Sequence, residues 1–307
     1  KIKILVFIDY YLPGTKAGGP IRSVKNMVDA LSEYYEFFII TRDHDFNEAK
    51  YTNIVINQWN TIENARVAYT SSKSRLLFFI RSFREVKPDI IYFNSFFSFW
   101  FSIIPIVLIL LGFSKAKSII ISPRGEFSEG ALGLKPIRKR IYISLFKSYF
   151  YLKYFTFHTS SEFETEDAKR ALDKDFRFRL AYAISPDIPE KKYVAALKKG
   201  KKEGELDVVF ISRIDKMKNL HFAIEVLQEV RSKVKFNIYG PISNPSYWSE
   251  CLELANRVPE NINVKYHGEA LREDFLSIYS HSDLFFLPTL GENYGHAIVE
   301  ALGHGCP

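Results

Sequence analysis

The chain has 307 residues, 47% of them hydrophobic and 25% charged, with a net charge of +7. That length suggests two domains. The apolar content excludes global disorder, and the positive charge favours phosphate ligands, nucleic acid or an acidic membrane surface without choosing among them. Its two cysteines, Cys251 and Cys306, form no CxxC or His-rich pattern, which argues against a disulfide scaffold or a metal site and fits a reducing cytoplasm.

The first apolar run, IKILVFID (2–9), has the continuous β-branched character of a buried parallel strand. Asp9 ends it too early for a signal peptide. A Gly-rich loop, PGTKAGGPIRS, leads into a helix with Val24, Met27, Val28 and Leu31 at helical spacing. Gly18 and Gly19 there would let a ligand approach the backbone, and would equally suit a plain flexible loop. Their spacing is neither GxGxxG nor GxxxxGK, so no dinucleotide fold or P-loop is expected. Strand-like runs EFFII (36–40), DIIYFN, KSIIIS and YFTFHTS then alternate with helical segments. That pattern means a parallel sheet covered on both faces.

Ile90 to Ser114 carries no charge and is long enough to cross a bilayer. Asn94, Ser95, Ser98, Ser102 and Pro105, with the strand-like opening, favour a buried strand followed by a buried helix. Residues 135–155 are basic and rich in Tyr and Phe, with no acidic residue between Gly130 and Ser161. Such a stretch suits an anionic membrane surface, single-stranded nucleic acid by stacking, or a core helix with a solvated basic face. Ser160 and Ser161 read as a helix cap before Glu162 and Glu164, and His158 as structural rather than catalytic.

Residues 189–205 are rich in Lys and Gly and poor in large apolar residues, a linker signature. It separates an N-terminal domain (1–188) from a C-terminal one (206–307). The second series of strands is expected at LDVVFIS (206–212), KFNIYG (235–240), NVKYHG (263–268) and DLFFLP (283–288). Helices are expected over 218–231 and from about Gly295. The chain stops after a Gly-Cys-Pro turn that would normally lead into another strand, so the second domain reads as incomplete.

Two stretches of this domain carry chemistry. In FISRIDKMKN (210–219), Arg213 and Lys218 follow a strand and precede a helix. Helix N-termini favour anions, and a planar guanidinium with a point-charge ammonium can grip one phosphate. Solvated loop cations are the alternative, and the reading preferred for Lys216. In GENYGHAIVEALGHG (291–305), Glu292 and Glu300 stand eight residues apart. If helical throughout, that is a rise of about 12 Å, too far to flank one glycosidic bond, but suited to the two ends of an extended ligand. Carboxylates accept well from sugar hydroxyls.

Taken together, SRIDKMKN followed by PTLGENYGHAIVEALGHGCP resembles the family four nucleotide-sugar glycosyltransferases, of the E-x7-E type. GGPIRSV and ISPRGEFSEGAL extend the resemblance over nearly the whole chain. It implies the GT-B fold, two Rossmann-like domains with a cleft between them. It also implies transfer with retention from a nucleoside-diphosphate sugar to a glycan or lipid-linked acceptor, in bacterial polysaccharide or lipopolysaccharide assembly, with no cofactor and no obligatory metal. By resemblance, Arg213 and Lys218 bind the donor diphosphate, Glu292 the donor hexose and Glu300 the ribose, while Asn293, Tyr294, Gly295 and Gly240 line the donor and Gly18 and Gly19 lie near phosphate or acceptor.

One position departs. Many members carry His just before the glycine of the SPxG turn, where this chain has Arg124. Arginine cannot act as a base near neutral pH, so no base is assigned, and Arg124 is a candidate for binding an anion. The family makes membrane contact the preferred role of 135–155, and nucleic acid an unexpected partner. The enzyme would be cytoplasmic or peripheral on the inner membrane face. The rival functions are a GT-B nucleotide-sugar epimerase and a non-catalytic membrane- or nucleic-acid-binding module.

Overall fold

The opening apolar run becomes strand β1 (Ile2–Phe7), whose last four residues are all buried. Successive side chains of a strand point to opposite faces, and here they feed two cores. Leu5 and Phe7 join one cluster, Ile4 and Val6 the other. The computed structural model describes residues 1–133, 136–149, 155–172, 176–184 and 202–307, in two units, Lys1–Ile184 and Ser185–Pro307.

In the first unit β1 lies inside an eight-stranded sheet of order β3-β4-β2-β1-β5-β6-β7-β8. The other strands are β2 (Tyr35–Arg42), β3 (Trp59–Ile62), β4 (Ala65–Thr70), β5 (Ile90–Phe93), β6 (Ser118–Ile121), β7 (Phe155–Thr159) and β8 (Arg177–Leu180). Every neighbouring pair is parallel except β3 with β4. Parallel strands need crossover helices, and these cover both faces. Helix α1 (Gly19–Leu31) buries Ile21, Val24 and Val28 in the cluster that holds Val6. Helix α2 (Arg75–Val86) puts Phe78, Phe79, Phe83 and Val86 into the cluster that holds Phe7.

The charge-free segment from Ile90 is β5, a π-helical turn (Phe99–Ile103) and α3 (Ile104–Leu110). Phe101 and Ile106 are buried in the phenylalanine-rich cluster, so the segment is core. Among the described residues no helix is long and apolar enough to cross a membrane. After β6 come α4 (Glu129–Gly133), α5 (Pro136–Tyr149) and, beyond β7, α6 (Glu162–Leu172). The Ser161 hydroxyl accepts from the Glu164 amide at 3.1 Å, the expected cap. The β3–β4 hairpin was not expected. Its two-residue turn is Glu63-Asn64, with Glu63 at a positive φ of 48°. Such turns are usually marked by glycine, and none is present.

The second unit has four parallel strands in the order β11-β10-β9-β12: β9 (Glu205–Ile211), β10 (Lys233–Tyr239), β11 (Ile262–Tyr266) and β12 (Leu284–Phe285). Its helices are α7 (Leu220–Gln228), α8 (Pro245–Ala255), α9 (Phe275–Ser280) and α10 (His296–Gly303). Two expectations are corrected. The strand over 283–288 is two residues long. The helix over 218–231 is a short 3-10 turn (Lys216–Lys218) followed by α7, because Asn219 takes a left-handed conformation between them. Most of the expected linker, residues 189–201, lies outside the described residues.

Candidate active site

In the second unit the loops after β9 and β12 are laced together. Leu290 N–H donates to the Met217 carbonyl at 2.9 Å, and the Thr289 hydroxyl donates to the same oxygen at 3.0 Å. Asn219 donates its side-chain amide to the Pro288 carbonyl at 3.0 Å. Asp215 shapes the first loop: one carboxylate oxygen accepts from the amides of Met217 and Lys218, at 3.0 and 3.2 Å. Its other oxygen lies 3.5 Å from the Arg213 guanidinium.

This lacing brings Lys218 and Glu292 into a direct ion pair across 74 positions of sequence. Their side chains are only 15% and 23% exposed, so neither is a freely solvated loop charge. Arg213 stands in the same loop as Lys218, beyond the end of β9. Lys218 beside Glu292, with Arg213 in the same loop, offers the donor and acceptor chemistry for a phosphate next to a hydroxylated ring.

Glu300 is 5% exposed on α10, which excludes an ordinary solvated helix residue. The helical spacing argument for the two glutamates needs correction. The helix begins at His296 and Glu292 lies in the preceding loop, so their separation is not eight helical rises. Gly295 enters α10 with φ of 71°, and the rings of Tyr294 and His296 meet with centroids 4.9 Å apart. Asn293 lies in the same loop, half-buried.

Gly240 has a packing reason of its own. It follows β10 with φ of 136°, and a Cβ there would meet the Ser212 carbonyl oxygen at 1.9 Å. The backbones of the β9 and β10 loops come too close for any side chain. Its carbonyl also accepts from the Tyr266 hydroxyl at 2.9 Å.

In the first unit Gly18, at φ of 72°, is the residue before α1, and Gly19 begins the helix. Asp45, which sequence reasoning missed, anchors this loop. It is 3% exposed, and one oxygen accepts from the amides of Thr15 and Lys16 at 2.8 and 3.1 Å. At the ends of β5 and β6, Arg124 donates to Asn94 Oδ1 at 2.8 Å and to the Tyr92 hydroxyl at 3.1 Å. That hydroxyl is 2.9 Å from His158 Nδ1, and His158 Nε2 is 2.9 Å from the Ala181 carbonyl. A carbonyl only accepts, so Nε2 carries the proton and Tyr92 donates to Nδ1. Burial, aided by Arg124, holds the imidazole below its usual pKa. His158 is therefore a neutral, fully bonded link, as its structural reading required. Glu126 accepts from Ser95 Oγ at 2.7 Å and from the amides of Phe96 and Phe97 at 2.6 and 3.2 Å. Burial nonetheless pushes its carboxyl above the usual range.

Known proteins share this chain's fold and part of its sequence. Residues 195–307 match the family model described as Glycosyl transferases group 1. No curated protein sequence matches the chain. Among solved structures, the chain is similar over its whole length to Anabaena Alr3699/HepE in complex with UDP-glucose, with a TM-score of 0.70, 15% identity and 79% of that chain covered. It is similar to the sucrose-phosphate synthase of Thermosynechococcus elongatus, with a TM-score of 0.67, 16% identity and 80% of that chain covered. It is also similar to the lipopolysaccharide outer core galactosyltransferase WaaB, with a TM-score of 0.63, 14% identity and 79% covered. At these identities the structures speak for the fold, and the fold is GT-B. Fold and family match together support glycosyltransferase activity, with the group 1 match confined to residues 195–307.

Proposed function

We propose that this enzyme is a retaining transferase that moves a sugar from a nucleoside-diphosphate donor to a glycan or lipid-linked acceptor in bacterial polysaccharide assembly. The observation that carries the reading is the Lys218–Glu292 pair, held by loop contacts at the C-terminal strand ends of the second unit. Ligands of parallel sheets bind at such ends. Arg213 and Lys218 would stabilise the departing diphosphate, the charge that grows in the transition state. Glu292 would accept from hexose hydroxyls, and the buried Glu300 would hold the ribose. Asn293, Tyr294 and Gly295 would line the donor between them, and Gly18 and Gly19 the acceptor side. No cofactor or metal is assigned a role.

A thermal-shift series with UDP, GDP, ADP and CMP tests this. A ligand that binds the native state raises the melting temperature. One nucleoside diphosphate is expected to do so for the wild type and not for Lys218→Ala. Equal shifts in both proteins would remove Lys218 from the donor site. An epimerase would share nucleotide binding but release free sugar without an acceptor.

A lipid-linked acceptor calls for a membrane surface, and α5 offers one. Its inner side buries Phe146 against Phe96, Phe155, Phe157 and Phe176. Its outer side shows Ile137, Ile141 and Leu145, 73%, 56% and 48% exposed, four residues apart and therefore in one row. Arg138 and Arg140 are exposed among them. Apolar residues flanked by cations suit the interface of an anionic bilayer. Ile141→Glu with Leu145→Glu is expected to abolish sedimentation with phosphatidylglycerol vesicles while the melting temperature holds, since both side chains point to solvent. Unchanged vesicle binding would reject this face. The rest of the 135–155 stretch lies partly outside the described residues.

A further inference from the structure

Arg124 sits where β6 ends, in the turn closed by the Glu126 amide on the Pro123 carbonyl at 3.1 Å. It is half-buried with a positive φ of 53°, a conformation uncommon for residues with a side chain. Its two partners, Asn94 and Tyr92, are both neutral. A wholly buried guanidinium needs an acid beside it, and a half-buried one that has none keeps its charge free to meet a ligand. Among the described residues Arg124 has none.

The acids nearest in the chain and across the turn are engaged elsewhere. Glu126 is held by Ser95 and two loop amides. Glu164 accepts from the Gly125 amide at 2.6 Å and from the Ser160 amide and hydroxyl at 2.7 and 2.9 Å. Both carboxylates thus fix the loops around Arg124 and leave its charge uncompensated. The same strand ends also hold excess donors. Asn94 Nδ2 and Ser122 Oγ are buried with no partner, in residues 5% and 0% exposed. The Ser122 amide donates to the Phe93 carbonyl at 2.8 Å, which sets Asn94 and Ser122 side by side at the ends of β5 and β6. Buried donors without acceptors are rare and costly. A cation without counter-ion and two orphaned polar groups therefore meet at one C-terminal strand end, the place where such sheets take their ligands.

We propose that Arg124 anchors an anion subsite in the first unit, which takes a phosphate or carboxylate carried by one of the two substrates, separate from the diphosphate of the donor. The proposal rests on the transferase reading for the word substrate. Asn94 and Tyr92 fix the guanidinium plane, and its remaining N–H groups provide the fork that planar oxyanions accept. The anion has two possible sources. It is a phosphate on the acceptor, as at the reducing end of a lipid-linked sugar, or it is the carboxylate of a uronic acid on the donor.

Calorimetric titration of the whole chain and of Arg124→Asn separates them. Asparagine tolerates positive φ, so the variant is expected to fold. Glucose 1-phosphate, titrated with UDP saturating, reports an acceptor phosphate. UDP-glucuronate against UDP-glucose reports a donor carboxylate. The expected result is unchanged UDP affinity with a loss of about ten-fold or more for one anionic probe, the size of a missing charged hydrogen bond. The probe that weakens names the source. Should Arg124→Asn fail to fold, Arg124→Lys, which keeps the charge and removes the fork, is read in the same way. Equal affinities of wild type and variant for both anionic probes overturn the proposal, as does a wild type that binds neither. A wild type that fails to bind UDP overturns the donor reading instead. Glucose 1-phosphate is then titrated alone, and its dependence on Arg124 still decides the subsite.

Discussion

Alanine at Lys218 or at Glu292 is expected to cut donor turnover by about 10²–10³-fold, the range seen when one group stabilising transition-state charge is removed. The reasoning starts from the pair. Each side chain is largely covered, and each faces the other across the junction of two loops. Donor binding would give Lys218 a phosphate and Glu292 a hydroxyl, so each loss removes a contact to the reacting substrate. Removing one partner leaves the other charge partly covered and unpaired, a cost between the ~0–1 kcal/mol of an exposed pair and the ~3–5 kcal/mol of a buried one. The melting temperature should therefore fall by a few degrees at most while the rate falls a hundredfold or more. Initial rates of nucleotide release with a fixed donor and acceptor, measured beside melting curves, check this. If activity survives in Glu292→Ala, the hexose contact assigned to it is wrong. If both activity and melting temperature collapse, the pair is structural. The double variant is informative too, because groups acting on one substrate lose less together than the sum of their separate losses.

Gly240→Ala is expected to do the opposite, damaging the fold before the chemistry. The added methyl would sit 1.9 Å from the Ser212 carbonyl oxygen, and the residue holds a φ of 136° that side chains rarely adopt. Backbone must move on both strands to relieve the clash. A cost of roughly 2–4 kcal/mol follows from strain of this type, or a fall of roughly 3–6 °C in melting temperature for a chain of this size. Gly130→Ala is the control. It lies in α4, and a Cβ there meets nothing within 4 Å. Alanine in a helix should stabilise by about 0.5–1 kcal/mol. Circular dichroism melts of the two variants should shift in opposite directions. A Gly240→Ala protein as stable as the wild type would show that the β9 and β10 loops can part without penalty.

Much of this was legible in the sequence. The alternation of apolar runs with amphipathic helices gave the two α/β series, because buried parallel strands carry few polar residues. The Ser161 cap and the core nature of the segment after Ile90 followed from residue chemistry alone. Arg213, Lys218 and Glu292 could be picked out as a set, but the Lys218–Glu292 contact could not. Nothing in 74 residues of separation says that Asn219 will adopt a left-handed turn and reach the Pro288 carbonyl. Asp215 and Asp45 were missed because an aspartate in a loop looks solvated until the amides that it receives are seen. Asn94 drew notice only as a polar residue in an apolar stretch, and its link to Arg124 spans 30 positions. The β3–β4 hairpin was hidden by a turn without glycine.

The lacing of the loops after β9 and β12 has a consequence for how this enzyme could change. Two of the three bonds end on the Met217 carbonyl and one on the Pro288 carbonyl. Both acceptors belong to the main chain, and none of the donors is a charged group. The frame should persist whatever side chains stand at positions 218 and 292 to 294. New donor preferences could then arise by single substitutions on an unchanged scaffold. A library randomised at Asn293 and Tyr294, with Thr289 and Asn219 kept, would sample different sugars while sparing the fold.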